Sequence, residues 1–198
     1  MELQSSTGKN STTRTFIAIT LSYSLQKEIT KIIAQLKKEP LYHSIRWTKP
    51  KNLHLTLRFL GDITQDQLAK ISLELFSCLS KLRSFTLQFD TLIPFPDTHS
   101  PIALVLKPVT SNELNNLAHI IDNCVLQYGV SSEKRAFHPH LTLARIKHKL
   151  PCHSTHESLA KIHLPKLVLE VKQINVMHSK PTPLGSYYKS LMDFQIGG

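Results

Sequence analysis

The sequence predicts an α+β domain in which mixed antiparallel strands are interspersed with helices. Two patterns favour this class. Short stretches alternate apolar and polar residues between turn residues, as strands with one face on a core do, and three longer stretches repeat apolar residues at helical spacing after a Ser or Thr. The composition agrees, because 198 residues with 41% hydrophobic residues can bury one ordinary globular core.

The first half of the chain begins with a polar segment that is rich in Ser and Thr. We expect residues 1–13 to form a disordered tail ahead of a single domain over residues 14–198. The predicted elements that follow are a strand at 15–20, a helix capped by Ser22 and ended by Pro40, a short strand at 45–48, a longer strand at 53–60 closed by a turn at Gly61-Asp62, and a helix capped by Thr64.

The second half repeats this alternation of strands and helices. Its predicted elements are a strand at 85–92, a loop at 93–96, a strand at 102–106, a helix capped by Ser111 and ended at Gly129, a polar loop at 131–136, a strand at 140–146, one or two helical turns near 158–161, and strands at 167–176 and 187–194. The strands at 53–60 and 140–146 occupy similar places in the two halves, which indicates an internal duplication.

These two strands carry the same motif, His54-Leu55-Thr56 in one and His140-Leu141-Thr142 in the other. In a strand the His and the Thr point the same way, about 6.6 Å apart, while the leucine points to the core. One such His is usually a solvated residue. A packing requirement explains the repeated leucines, however, and not the repeated His and Thr. Two imidazoles brought together with two hydroxyls can form a metal-free acid/base site for a phosphate-like anion.

The segments that frame the motifs, 46–62 and 137–145, closely resemble the 2H phosphoesterase superfamily, as do the opening segment 14–19 and the closing segment 186–188. Within that superfamily the chain is most similar to the bacterial RNA 2',3'-cyclic phosphodiesterases, also called 2'-5' RNA ligases. The resemblance implies two pseudo-symmetric lobes. Each lobe would be an antiparallel sheet backed by helices, and the two motif strands would face one another across a central groove.

The resemblance also implies roles for the motif residues. His54 would be the general acid for the leaving 3'-oxygen, and His140 would be the general base that activates water, which gives a terminal 2'-phosphate. Thr56 and Thr142 would donate to the non-bridging oxygens, and Arg145 would orient the phosphate. Strict alternation places Arg145 on the face opposite His140, so its role requires a twist or a bulge in the strand.

Three further residues are candidates for binding the substrate. Arg58 shares the face of Thr56 by strict alternation, so it could contact the phosphate. Phe16 and Tyr187 could stack an exposed base, although aromatic residues in strands more often pack in the core.

The charge of the chain indicates an anionic partner. Its 24 Lys and Arg against 14 Asp and Glu give a formal charge of +10, which attracts polyanions. Together with the resemblance, this predicts an RNA with a 2',3'-cyclic phosphate end as the substrate, without a cofactor or a metal. Two alternatives stay open: a phosphodiesterase for 2'-5' linked oligonucleotides or small nucleotide cyclic phosphates, and an RNA-end binding protein without turnover.

The sequence also gives an expectation about location. Its three cysteines are too few for a disulfide framework, the polar start has no secretion signal, and no stretch approaches the roughly 18 apolar residues of a membrane span. We therefore expect a cytoplasmic protein that makes no membrane contact, and we expect a monomer.

Overall fold

A computed structural model of the protein describes residues 11–43, 45–147, 151–183 and 185–197. The strands in these ranges are β1 (Thr13–Thr20), β2 (Arg46–Trp47), β3 (His54–Ile63), β4 (Phe85–Phe95), β5 (Ala103–Pro108), β6 (Leu141–Arg145), β7 (Leu167–Val171), β8 (Gln173–Thr182) and β9 (Gly185–Gln195), and the helices are α1 (Tyr23–Leu36), α2 (Gln65–Leu79), α3 (Asn112–Leu126) and α4 (Cys152–Ala160). Most of the predicted disordered tail, residues 1–10, lies outside the described residues.

All of these strands join one antiparallel sheet, in the order β7-β4-β5-β6-β3-β1-β8-β9, with β2 paired to β6 beside this path. The order divides between β6 and β3 into two halves of four strands each. In both halves the motif strand is the innermost strand. In both halves a strand and a helix come before it in the sequence: β1 and α1 precede β3, and β5 and α3 precede β6. This arrangement confirms the predicted α+β class with two similar antiparallel halves.

The two motif strands are in closer contact than two strands on opposite sides of a groove would be. They are neighbours in the sheet, and Leu55 of β3 pairs with Leu141 of β6. Further along the same edge of β6 its partner changes to β2, where Trp47 pairs with Ala144 and the Thr48 amide donates to the Leu143 carbonyl at 2.8 Å. The halves therefore join at the motifs and separate beyond them.

Helices α1, α2 and α3 form where the capping and periodicity signals predicted them, whereas α4 begins six residues before the helical turns predicted near 158–161. The Ser22 hydroxyl accepts from the Leu25 amide at the start of α1, and the Ser111 hydroxyl accepts from the Leu114 amide at the start of α3. At the start of α2, Thr64 and Gln67 satisfy each other's backbone amides in a capping box. These bonds supply partners for donors that a helix cannot satisfy by itself, while the buried apolar stripes of α1, α2 and α3 pack on the core.

Three predicted strand boundaries are wrong, each because of strand pairing that is distant in sequence. Gly61 does not end β3, since its positive φ of 74° accommodates an irregularity and the strand continues to Ile63. Pro94 does not end β4, because its partner there is β5 alone and the missing amide faces an unpaired edge. The predicted strand at 167–176 is two strands in different halves, with β7 paired to β4 and β8 paired to β1.

None of the helices in the described ranges combines the length and the apolar character needed to cross a membrane.

Candidate active site

The pair between Leu55 and Leu141 positions the four polar groups of the two motifs. Both leucines are fully buried, so the neighbouring residues of each strand point to the opposite face. Continuing the antiparallel register from this pair sets His54 opposite Thr142 and Thr56 opposite His140. Each strand thus presents its His beside the partner's Thr. The two histidines are diagonal neighbours, whose Cα atoms such a register places about 7–8 Å apart.

Arg145 lies on the same face as His140 because β6 contains a β-bulge. Val105 of β5 pairs with Thr142, whereas Leu104 pairs with Ala144, so Leu143 is an extra residue without a partner on β5. The extra residue shifts the alternation, with Leu143 and Ala144 both buried and Arg145 exposed. A role of Arg145 at the phosphate requires such an irregularity, because strict alternation would place its side chain on the face opposite His140.

The first motif strand contains a bulge at the equivalent place. Ala18 of β1 pairs with Thr56 and Ile17 pairs with Arg58, so Leu57 is the extra residue. After it, Arg58 turns away from the motif face and Phe59 turns towards it, with exposed fractions of 7% and 57%. The two halves therefore present Phe59 and Arg145 at corresponding positions, five residues after their histidines.

The predicted placement of Arg58 beside Thr56 is therefore wrong. The bulge directs its guanidinium towards α3, where Nε forms an ion pair with the Asp122 carboxylate at 2.6 Å. A second guanidinium nitrogen donates to the Ser131 carbonyl, in the loop that leads to the second motif. Arg58 thus connects the first motif strand to α3 and to this loop, and it is too buried to bind a substrate phosphate.

We expect Asp122→Ala to lower the free energy of unfolding by about 2 kcal/mol, because it leaves the buried Arg58 guanidinium without its counter-charge. The value is below that of a fully buried pair, since the Asp122 side chain is 35% exposed. Urea unfolding of both proteins would measure the difference. Glu28→Ala is the control: its pair with Lys31 is exposed on both sides, and its loss should change the free energy by about 0.5 kcal/mol or less. Equal effects of the two variants would contradict a structural role for Arg58.

Both motif histidines are oriented by the same local hydrogen bond. Nδ1 of His54 lies 2.7 Å from the Asn52 carbonyl, and Nδ1 of His140 lies 2.7 Å from the His138 carbonyl. A carbonyl oxygen only accepts, so Nδ1 of each ring carries the proton and donates it. In the neutral ring Nε2 is then the basic nitrogen, and it is available to exchange a proton with a substrate.

Aromatic side chains pack against both imidazoles. The rings of Phe16 and Tyr188 each lie 5.0 Å from the His54 ring, centroid to centroid, and the Phe95 ring stacks on the His140 ring at 4.6 Å. These contacts limit the rotation of the two histidines. The sequence did not predict the contact of Phe95, because residues 93–96 were expected to form a loop.

The two aromatic candidates for base stacking have different environments. Phe16 is only 2% exposed, since His54 and Tyr188 cover it, so it forms a wall of the site and offers no free face to a base. Tyr187 is 47% exposed, and Lys51 lies 5.9 Å from the centre of its ring. Of the two, Tyr187 alone keeps a surface on which a base could stack.

The environment lowers the pKa of both motif histidines below the ordinary value of 6.5. Burial is the largest cause at each ring, because it disfavours the charged form. The positive charge of Arg145 lowers both pKa values further, and His140 also lowers that of His54. The hydrogen bonds to Asn52 and His138 act in the opposite direction. The motif face thus carries three cationic or potentially cationic groups, His54, His140 and Arg145.

Such a site suits an anion better than a metal ion. Among the described residues, neither motif histidine belongs to a convergent group of three His, Cys, Asp or Glu side chains. A surface cavity of about 440 Å³ lies elsewhere, between residues 86–88 of β4 and the start of α3. It is at the end of β4 remote from Phe95 and so from His140. The motif face offers two proton-exchanging nitrogens, two hydroxyls and a guanidinium, a set able to bind and protonate a phosphate ester.

Comparison of the sequence with protein families matches residues 21–182 to the 2'-5' RNA ligase superfamily. Two similar proteins, from Thermotoga maritima and Aquifex aeolicus, are named RNA 2',3'-cyclic phosphodiesterase. They are 28% and 30% identical over 93% and 90% of this chain, and each alignment covers 96% of the relative. A protein of the same name from Bacillus subtilis is 36% identical over 55% of this chain and 60% of its own length.

Solved structures with the same fold include the protein TT0787 of Thermus thermophilus, with a TM-score of 0.77 and 21% identity over 92% of this chain and 97% of that one. E. coli LigT in complex with 3'-AMP has a TM-score of 0.74 and 23% identity over 93% of this chain and 98% of that one. At these identities the structural likeness establishes the fold.

Proposed function

Since the chain belongs to the 2'-5' RNA ligase superfamily, we propose that it hydrolyses RNA 2',3'-cyclic phosphate ends to 2'-phosphates. The observation that carries this proposal is the junction of β3 and β6, where two histidines with available Nε2 atoms lie beside two threonines and Arg145. The relatives from T. maritima and A. aeolicus support it, because both are named for this activity. The complex of E. coli LigT with 3'-AMP supports a nucleotide phosphate as ligand.

Hydrolysis requires one proton to be removed and one to be supplied. Nε2 of neutral His140 takes a proton from water as the water oxygen bonds to phosphorus. The bond from phosphorus to the 3'-oxygen breaks, and Nε2 of protonated His54 supplies the proton that makes it a 3'-hydroxyl, which leaves the phosphate on the 2'-oxygen. The two motifs have equivalent geometry, which does not distinguish the acid from the base. The division of roles therefore follows the family resemblance.

The charge that develops on the non-bridging oxygens needs donors that are already in place. The Thr56 and Thr142 hydroxyls and the Arg145 guanidinium fill this role on the motif face, without a metal ion. With a 5'-hydroxyl in place of water, the same groups would form a 2'-5' linkage, and the reverse reaction would exchange the roles of the two histidines. Because water is abundant, we propose hydrolysis as the net reaction.

The lowered histidine pKa values predict an acidic optimum. The active form needs one protonated and one neutral imidazole, and it is most abundant between their two pKa values, both of which lie below 6.5. We therefore expect kcat/KM, which reports the free enzyme, to follow a bell-shaped profile with its maximum below pH 6.5. An anionic substrate favours the charged imidazole, so the kcat profile should lie at higher pH. Initial rates measured from about pH 4.5 to about pH 9 test this, and a kcat/KM maximum above about pH 7 would contradict it.

One assay tests the proposed function directly. A short RNA that ends in a 2',3'-cyclic phosphate is incubated with the protein, with and without EDTA, and phosphorus NMR identifies the position of the product phosphate. We expect a 2'-phosphate at the same rate in both samples. A 3'-phosphate, or inhibition by EDTA, would refute the proposed mechanism.

The same assay distinguishes the alternative functions. Preferred turnover of a mononucleotide cyclic phosphate or of a 2'-5' linked oligonucleotide would favour a different phosphodiesterase substrate, for which the site geometry is equally suited. Unchanged RNA after long incubation, with binding retained, would favour an RNA-end binding protein.

A further inference from the structure

The fold brings two cysteines into contact where α2 and α3 pack together. Cys78 on α2 and Cys124 on α3 are 46 positions apart in the sequence, and the Cys124 thiol is directed at the Cys78 sulfur with an Sγ to Sγ distance of 3.2 Å. The two helices pack against each other, so the approach of the sulfurs is fixed by the core and does not depend on a loop. A movement of about 1 Å would bring the sulfurs to bonding distance.

The surroundings distinguish the two thiols. Cys124 is 3% exposed, whereas Cys78 is partly accessible to solvent. The Cys78 thiol donates to the Glu74 carboxylate at 3.7 Å, and the Tyr128 hydroxyl holds the other oxygen of that carboxylate at 3.4 Å. Burial and then the neighbouring Cys78 and Glu74 raise the pKa of Cys124 to about 12. Cys78 is thus the thiol that a dissolved oxidant can reach, and Cys124 is the protonated partner beneath it.

We propose that Cys78 and Cys124 form a redox-active dithiol, which hydrogen peroxide converts to a disulfide between α2 and α3. In the first step the Cys78 sulfur attacks peroxide, which yields a sulfenic acid and water. In the second step the Cys124 sulfur displaces the sulfenic hydroxyl, which leaves with the Cys124 proton as water. Overall, two thiols and one peroxide give one disulfide and two waters. This modification site is separate from the proposed phosphodiesterase function.

The experiment uses the full chain with Cys152→Ser, so that the only thiols are Cys78 and Cys124. The protein is treated with hydrogen peroxide in the presence of EDTA and then analysed by thiol titration and intact mass. We expect the loss of both thiols, a mass decrease of two hydrogen atoms, and reversal by dithiothreitol. A peptide digest without reductant should contain the Cys78 and Cys124 peptides as one linked species, a result that can also be sought in the unaltered chain if Cys152→Ser does not fold.

Two variants test the order of the steps. With Cys124→Ser, Cys78 should accumulate as a sulfenic acid that dimedone traps, because its partner is absent. With Cys78→Ser, Cys124 should resist peroxide at least about tenfold longer than Cys78 does, since it is buried and protonated. A parallel sample without EDTA tests whether Glu74 and the two cysteines hold a metal ion. The proposal is overturned if both thiols survive peroxide in the Cys152→Ser protein, if the disulfide forms between two chains, or if the thiols react only in the sample that contains EDTA.

Discussion

His54→Ala and His140→Ala should each lower kcat/KM for an RNA cyclic phosphate by about 10²–10⁴-fold, the usual contribution of one general acid or base. The reason is geometric: each ring supplies one Nε2 atom at the junction of β3 and β6, and neither strand carries a replacement at the same position. Steady-state kinetics with the cyclic phosphate RNA measure the loss. Circular dichroism should show that the variants remain folded, because both rings are only partly buried.

His138→Ala is the matched control, since it removes an imidazole two residues before His140. It keeps the backbone carbonyl that orients Nδ1 of His140. We expect kcat/KM to change by less than about threefold. Activity near the wild-type level in either motif variant would refute the acid/base assignment, and a large loss in the control would show that the effect is not specific to the motif rings.

The roles of acid and base can be separated with a substrate whose leaving group needs no proton. An aryl phosphodiester that releases nitrophenolate still requires an activated water. Loss of the general acid should therefore lower kcat/KM less with this substrate than with RNA, whereas loss of the general base should lower kcat/KM equally with both. If His140→Ala rather than His54→Ala is rescued in this way, the two assignments are reversed.

The sequence predicted the family and the placement of the motif residues because these depend on local patterns. Alternation identified the faces of Leu55 and Leu141, and the framing segments carried the family resemblance, which the family comparison confirms. The side-chain directions after each motif were not predictable by the same rule. Strict alternation placed Arg58 on the motif face and Arg145 on the opposite face, and the structure shows the reverse.

The cause of that reversal lies in neighbouring strands. A bulge arises where one strand has one residue more than its partner between two fixed pairs, so it depends on β1 for β3 and on β5 for β6. A single strand carries no local signal of this mismatch. The break at Lys172 between β7 and β8 has the same origin, because the two strands pair with different halves of the sheet.

The bulge in β6 leads to the second large effect. We expect Arg145→Gln to lower kcat/KM by about 10²–10³-fold, the usual loss when one preorganised donor to a developing negative charge is removed. Arg145→Lys should recover only part of the activity, since an ammonium keeps the charge but cannot contact two phosphate oxygens with a planar fork. Steady-state kinetics on the same cyclic phosphate RNA compare the three proteins.

The pH profile separates a direct role of Arg145 from general attraction of RNA. Its positive charge lowers the pKa of both His54 and His140, so both values should rise in Arg145→Gln and the optimum of kcat/KM should move to higher pH. Arg135→Gln is the matched control, because it removes the same charge from a side chain that is 84% exposed and paired with Glu133. It should leave the optimum in place. If Arg145→Gln also leaves the optimum in place and lowers kcat/KM only as much as Arg135→Gln, the guanidinium does not face the reacting phosphate, and the bulge in β6 has no catalytic purpose.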